Sequence, residues 1–431
     1  MFAYYSMGIR ISECPGFRCL HATNHTQGEF GMTYDFTSLM ERHGKDALAV
    51  DGLGSQPGFA PDPPKPGFDV IPMWIADMNF PTVPTIAQAI IERAKHPAFG
   101  YFQMSDEYFD AIAGWQRDRN GVSDIPREAI GYENGVLGGL MSAVAAFAAP
   151  GDKILLHSPT YVGFTMALEN AGYAIEHSPL KLDEHGVWRM DFDDMDRRLK
   201  EHHIHVAVFC SPHNPCGRVW ERWEIEEAME VFRRNHCVVV SDEIWSDILL
   251  DGHRHIPTQT VSEDAKRRTV ALYAPCKTFN VSGLVGAYHI IYDSYLRDRV
   301  EAQASKSHYN EANVLAMHTL VGAYTQEGRQ WLDELLVVLS RNVKLMFDYL
   351  SSVDGVELAR PEGTYMLYLD CSRWCREHGV TIGELEKRGW DVGVAWQDGV
   401  MFGMPDTIRM NVALPESRVR EAIRRLQEYV F

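Results

Sequence analysis

The 431-residue chain is predicted to be an α/β protein, with a mostly parallel sheet in a large domain and a smaller α+β domain at the C-terminus. Three observations predict this. Short apolar runs alternate with helical stretches, the signature of sheets flanked by helices. Those runs are apolar throughout rather than every second residue, as in strands buried on both faces. Beyond about residue 350 the alternation gives way to more widely spaced strands and one closing helix.

The elements follow in order. A Pro/Gly-rich stretch from Gly52 to Gly67 reads as an ordered loop or linker. Residues 136–149 form an apolar helical run stopped by Pro150-Gly151-Asp152, and 153–157 then reads as a short buried strand. Further strands are expected at 206–210, 238–241, 269–273 and 287–292, with a helix at 223–235. Residues 311–350 are helical, with Gly322 and Gly328 as candidate breaks. Strands at 366–370, 392–396 and 408–414 and a helix at 416–429 complete the chain. The expected division is an extension of unclear role at 1–31, an N-terminal segment at 32–80 packing with the small domain, a large domain at 81–320 and a small domain at 321–431.

Composition removes several function classes. With 41 Lys+Arg against 59 Asp+Glu the formal charge is −18, the wrong sign for attraction to nucleic-acid phosphates or anionic lipid. A small-molecule partner is expected. No stretch reaches the roughly 18 consecutive apolar residues that span a bilayer, and the first 33 residues lack a compact apolar core before a cleavage site. A soluble, cytoplasmic protein is the expectation. The 8 cysteines are sparse, and Cys14/Cys19 and Cys371/Cys375 lack the spacing of structural zinc sites, so they read as reduced thiols. His202, His203 and His205 have no second ligand cluster and read as a solvated helix end; no metal is expected.

In open α/β sheets ligands bind beyond the carboxyl ends of the strands. Four segments stand there: Gly135-Val136-Leu137-Gly138-Gly139, Ser211-Pro212-His213-Asn214-Pro215-Cys216-Gly217-Arg218, Asp242-Glu243, and Ala274-Pro275-Cys276-Lys277-Thr278-Phe279-Asn280. An asparagine, an aspartate and a lysine at the ends of three strands can converge on one flat, anionic, aldehyde-bearing ligand. Pyridoxal phosphate fits: its aldehyde needs a lysine amine (Lys277), its ring nitrogen a carboxylate (Asp242) and its phosphate a helix N-terminus (Val136, Leu137). Asn214 would donate to its phenolic oxygen. Each residue has a plainer reading: a surface lysine, a helix cap at Asp242, a turn residue at Asn214.

With Asp242 following Asn214 by 28 residues, Lys277 a further 35 on, and Arg409 within Ile408-Arg409-Met410-Asn411-Val412-Ala413, the sequence resembles the fold-type I pyridoxal-phosphate enzymes, aminotransferase class I/II, from about Tyr34 to the C-terminus. Within that superfamily it is most similar to the cystathionine β-lyase, or C–S lyase, branch, through Met73-Trp74-Ile75-Ala76-Asp77-Met78, Phe99-Gly100-Tyr101 and the Lys277 segment. The resemblance implies Lys277 as the catalytic lysine, and Val136, Leu137, Tyr161, Asn214, Asp242 and a Tyr101 from a neighbouring subunit around the cofactor. Tyr161 would lie against the ring. It implies Arg409, a planar fork for a carboxylate, and Ala76 as substrate contacts, and a homodimer with shared sites.

The implied activity is cleavage of cystathionine or a related S-substituted cysteine to a thiol, pyruvate and ammonia. An aminotransferase would use the same residues, and a scaffold protein would have no need of them. Three positions depart from the family pattern. Ala274 and Cys276 stand where hydroxyl residues are common, with Thr278 an uncertain substitute; Trp245 replaces a Tyr or His and has only one N–H to offer; and Met78-Asn79-Phe80 replaces Met-Asp-Phe.

Overall fold

A computed structural model describes residues 32–306 and 308–431; the extension at 1–31, with Cys14 and Cys19, lies outside the described residues. Seven strands form the central sheet, in the order Ile130–Glu133, Ala287–Ile290, Thr269–Tyr273, Val238–Asp242, Val206–Cys210, Lys153–Ser158, Ala174–Pro179. Six run the same way; Ala287–Ile290 alone is antiparallel to both its neighbours. The register pairs Cys210 with Asp242 and Asp242 with Leu272, which brings three strand ends to one edge.

The apolar runs become strands because both faces are covered. Every residue of Val206–Cys210 and Thr269–Tyr273 is buried. On one side the Arg222–Arg234 helix buries Ile225, Ala228, Met229 and Phe232, a spacing of three and four that keeps one helical face on the sheet. A reciprocal capping box between Glu221 and Glu224 starts that helix. On the other side Val136–Phe147 packs Val136, Leu140, Ala143 and Val144 into a core shared with Val208, Val240, Val270 and Leu272.

The long helical stretch divides into Val314–Ala323 and Gln326–Leu350, and neither expected glycine makes the break. Gly322 faces Thr85 and Ala89, where an added Cβ would come within 2.8 Å of the Thr85 carbonyl; its smallness serves helix packing. Gly328 gives its N–H to the Thr325 hydroxyl, which caps the second helix.

A four-stranded antiparallel sheet, ordered Glu357–Leu358, Met366–Asp370, Thr407–Asn411, Gln397–Asp398, carries the C-terminal part. The strand expected at 392–396 is only Val394–Ala395, which pairs in parallel with Ile71–Pro72. That pairing continues through Met73 N to Ala395 O at 2.9 Å, Asn411 N to Met73 O at 2.8 Å and Asn79 N to Ala413 O at 2.9 Å. Residues 71–79 are thereby zipped onto the C-terminal sheet. Among the described residues no helix is long and apolar enough to cross a membrane.

Candidate active site

The carboxyl ends of the parallel strands carry most of the residues singled out from sequence. Asp242 ends its strand and is buried, and burial pushes its carboxyl up to about 7; Glu243 adds to the rise, while the Ile244 amide and Lys277 oppose it. Lys277 lies four residues beyond Tyr273, close enough to Asp242 for their charges to interact, and its Nζ donates to the Ala76 carbonyl at 3.0 Å. Asn214 is buried after the neighbouring strand, and its Oδ1 has no partner.

The Asn214 turn is held by its glycine. Gly217 has φ +66°, and a Cβ there would sit 2.6 Å from Pro361 Cβ. Its carbonyl accepts from Glu362 N at 2.8 Å and Gly363 N at 3.0 Å, tying the turn to the C-terminal part.

Gly135, at φ +87°, turns the chain from the Ile130–Glu133 strand into the helix that starts at Val136. No side chain caps this helix, so its first amides offer a partial positive charge. Leu137, Tyr161 and Cys276 pack against the core cluster that includes Val136 and Ala274. Tyr161 stands just before the next helix, Val162–Asn170, with its ring across Gly163, where an added Cβ would come within 2.4 Å of it.

Arg409 stands in the small sheet, paired across strands with Tyr368 and Gln397. It is 4% exposed, stacked over the Phe402 ring at 4.3 Å, and among the described residues faces no carboxylate within ion-pair distance. Burial pushes its guanidinium down to about 10, against the opposing effect of Tyr161, Tyr368 and Tyr365. Its Nη2 donates to Trp74 O at 2.8 Å and Gln397 Oε1 at 3.1 Å, while Nε and Nη1 have no partner. Trp74 and Ala76 belong to the zipped segment 71–79, so one stretch of backbone reaches both Arg409 and Lys277. Asn411 supports it through Ile75 O at 2.8 Å and Asp77 O at 2.5 Å, and Asn280 through Met78 at 2.9 and 2.8 Å.

The departures find uses. Thr278 is buried and gives its hydroxyl to Asp247 at 2.9 Å, so it does not stand in for the missing hydroxyls. Trp245 packs against Tyr365. Asn79 accepts from Arg42 at 2.9 Å, and Arg42 also pairs with Asp77 at 2.6 Å. Tyr101 is not gathered into the site: it is fully exposed within its own chain. Gln397, Arg42 and Tyr365 escaped sequence reasoning, and Trp74, quoted within a family motif, was given no role of its own. Only Asn411 had a signal, two residues from Arg409 on the same strand face.

A lysine, an aspartate and an asparagine at the carboxyl edge of the parallel strands, beside an uncapped helix start, form the arrangement in which α/β enzymes hold an anionic ligand. The family model for aminotransferase class I and II matches residues 69–426. The chain belongs to that family. It is 32% identical to cystathionine β-lyase PatB of Bacillus subtilis over 397 residues, covering 91% of this chain and 99% of that one. Among solved structures, cystalysin of Treponema denticola, described as containing a pyridoxal 5'-phosphate cofactor, superposes with a TM-score of 0.84 at 27% identity, covering 92% of this chain and 98% of that one. A pyridoxal-phosphate-bound C–S lyase of Staphylococcus hominis gives 0.82 at 27% identity, covering 94% of this chain and all of that one.

Proposed function

We propose that the protein is a pyridoxal-phosphate-dependent carbon–sulfur β-lyase that cleaves cystathionine or a related S-substituted cysteine to a thiol, pyruvate and ammonia. The observation that carries this reading is the pairing of Arg409, buried without a carboxylate partner, with Lys277, both anchored on the backbone of residues 71–79. An amino acid held by its carboxylate at Arg409 presents its Cα to an amine fixed by the same segment. The lyases similar to this chain support the choice of reaction.

The residues fit the cofactor. Asn214 is buried beyond its strand, where its Nδ2 would be the donor to the phenolic oxygen, Asp242 is a buried carboxyl with no cation bonded to it among the described residues, and the amides at Val136 and Leu137 suit a phosphate. Tyr161 would lie against the ring, and Tyr101 of a second copy would reach the phosphate. Bound there, pyridoxal phosphate supplies the electron sink for the pair left on Cα when its proton departs.

The chain's own groups do the rest. Arg409 holds the α-carboxylate through Nη1, and Ala76 borders the substrate. Lys277 would be the covalent anchor of the resting enzyme; the substrate's own amine would take its place, and the freed lysine amine would then take the Cα proton as general base. Asp242 is ionised when it faces a protonated ring nitrogen, since an opposite charge favours the carboxylate over the neutral acid that burial alone prefers. The Cβ–S bond then breaks with its electron pair on sulfur, and water releases pyruvate and ammonia.

On this reading the enzyme is a cytoplasmic homodimer with a large domain at 81–320, a small domain at 321–431, and residues 32–80 serving the small domain. Incubation of the purified protein with cystathionine and no keto acid tests the reaction. Pyruvate and free thiol in equal amounts are expected; neither product without a keto acid, and amino transfer with one, would make it an aminotransferase. An absorption band near the visible edge that borohydride abolishes tests the cofactor, and its absence after adding pyridoxal phosphate overturns the assignment.

A further inference from the structure

Tyr365 immediately precedes the Met366–Asp370 strand; its side chain is fully buried, yet among the described residues its hydroxyl has no hydrogen-bond partner. Buried polar atoms are paired in the great majority of native structures, because leaving one unpaired forfeits its hydration. Its surroundings indicate what the hydroxyl awaits. The ring meets Trp245 edge to face with centroids 4.7 Å apart, and the phenol lies within electrostatic reach of Asp77, Cys276 and Arg409. Cys276 adjoins Lys277, and Asp77 follows Ala76. Val412 N donates to the Tyr365 carbonyl at 3.0 Å, so Tyr365 stands on the strand beside that of Arg409, with its phenol near the guanidinium and near the segments that carry Lys277 and Ala76.

Arg409 is short of the donors a carboxylate needs. An end-on fork uses one hydrogen from each Nη, but both hydrogens of Nη2 are committed, to Trp74 O at 2.8 Å and to Gln397 Oε1 at 3.1 Å. Nη1 can serve one carboxylate oxygen; Nε points along the other side of the guanidinium plane. The second oxygen needs a donor from elsewhere. A phenol in this setting keeps its proton, since burial and the nearby Asp77 raise its pKa far above the ordinary range.

We propose that Tyr365 is a substrate-binding residue whose hydroxyl donates to the α-carboxylate of the bound amino acid, completing with Arg409 a two-point carboxylate receptor. This rests on the reading of Arg409 as the carboxylate site. It also accounts for a buried hydroxyl with nothing to bond in the substrate-free chain.

Tyr365→Phe tests it with two readouts. In thermal unfolding without substrate the variant should melt at or above the wild-type temperature, because the lost hydroxyl had no partner; a fall of more than about 2 °C would mean that it has one in the fold, and overturns the proposal. The second readout is a titration of the cofactor-loaded protein with L-alanine, followed by the change in cofactor absorbance. Alanine has no leaving group, so its binding is independent of whether the enzyme is a lyase or an aminotransferase. The expected result is a Kd about tenfold higher in Tyr365→Phe, equivalent to about 1.4 kcal/mol, with binding of ethylamine, which has no carboxylate, unchanged. An alanine Kd within twofold of wild type, or equal weakening of alanine and ethylamine, sinks the idea. Arg409→Met separates the two failures: if it leaves alanine binding intact, the carboxylate site itself is misassigned, whereas if it weakens alanine binding and Tyr365→Phe does not, only the role of Tyr365 falls.

Discussion

Asp242 is a carboxyl whose protonation should depend on what stands opposite it. In the cofactor-free chain burial raises it to about 7, whereas in an unfolded chain an aspartate titrates near 3.9. Between these values the folded chain holds a proton that the unfolded chain has released, so the group's contribution to stability is full below about pH 4 and is lost as pH rises to about 7. Thermal unfolding of the cofactor-free wild type against Asp242→Asn should therefore show the wild type losing ground steadily from pH 5 to 7 and no further above pH 8. Loading pyridoxal phosphate should flatten that difference, since a facing cation keeps the carboxylate ionised. Parallel curves would mean that Asp242 does not titrate in this window. Lys277→Ala removes both the covalent anchor and the base, so turnover should fall by at least about 10³-fold and the borohydride-sensitive band should vanish. Near wild-type turnover in that variant would reject the lysine's assignment.

At the scale of elements, the site depends on how the Asn214 turn docks on the C-terminal part. Arg218 closes that turn: the His213 amide donates to its carbonyl at 2.8 Å, and its guanidinium pairs with Glu224 and Glu362. Arg218 is 3% exposed and the Glu224 side chain is wholly buried. Removing one partner of such a pair strands the other, at about 3–5 kcal/mol. Arg218→Ala should therefore lose about that much stability in urea unfolding, and Arg218→Met with Glu224→Gln should recover part of it. If the single variant is as stable as the wild type, the network is not what holds the turn. The same scale explains what was legible in the sequence. Val206–Cys210, Thr269–Tyr273 and Glu416–Tyr429 fall where expected, because an apolar run or an amphipathic repeat ends abruptly at breakers. The edge strand Ala174–Pro179, with Glu176 and His177 half-buried, carries no such run and was not anticipated. Its strand state comes from pairing with Lys153–Ser158.

For the whole molecule, the decisive feature is a tyrosine that is left fully exposed among the described residues. Tyr101 is fully exposed, with Phe99 at 56% and Ile91 at 59% nearby in sequence, apolar surface of the kind that a second copy covers. If Tyr101 completes the neighbour's phosphate site, the enzyme is at least a two-fold dimer with one isologous interface. Coexpressing Tyr101→Phe and Lys277→Ala chains tests this. In a mixed dimer one site carries both lesions and the other neither, so activity should exceed the sum of the parents, provided that Tyr101→Phe alone measurably weakens cofactor binding. Activity equal to the parental average, under conditions where chains exchange, would return Tyr101 to ordinary surface packing.

The sequence by itself determined the order of elements, the edge of the sheet where chemistry gathers, and the candidates Asn214, Asp242, Lys277 and Arg409, because apolar periodicity and the residues that end each strand are local properties of the chain. Only the tertiary structure decided what surrounds them. The zipping of residues 71–79 onto the C-terminal sheet, the use of Arg409 Nη2 by Trp74 and Gln397 and the diversion of Thr278 to Asp247 join residues up to 338 positions apart, and they leave the Tyr365 hydroxyl unpaired among the described residues. Hydrogen-bond satisfaction in a buried site is settled by such distant partners, and no local pattern in the chain encodes which donors are left free.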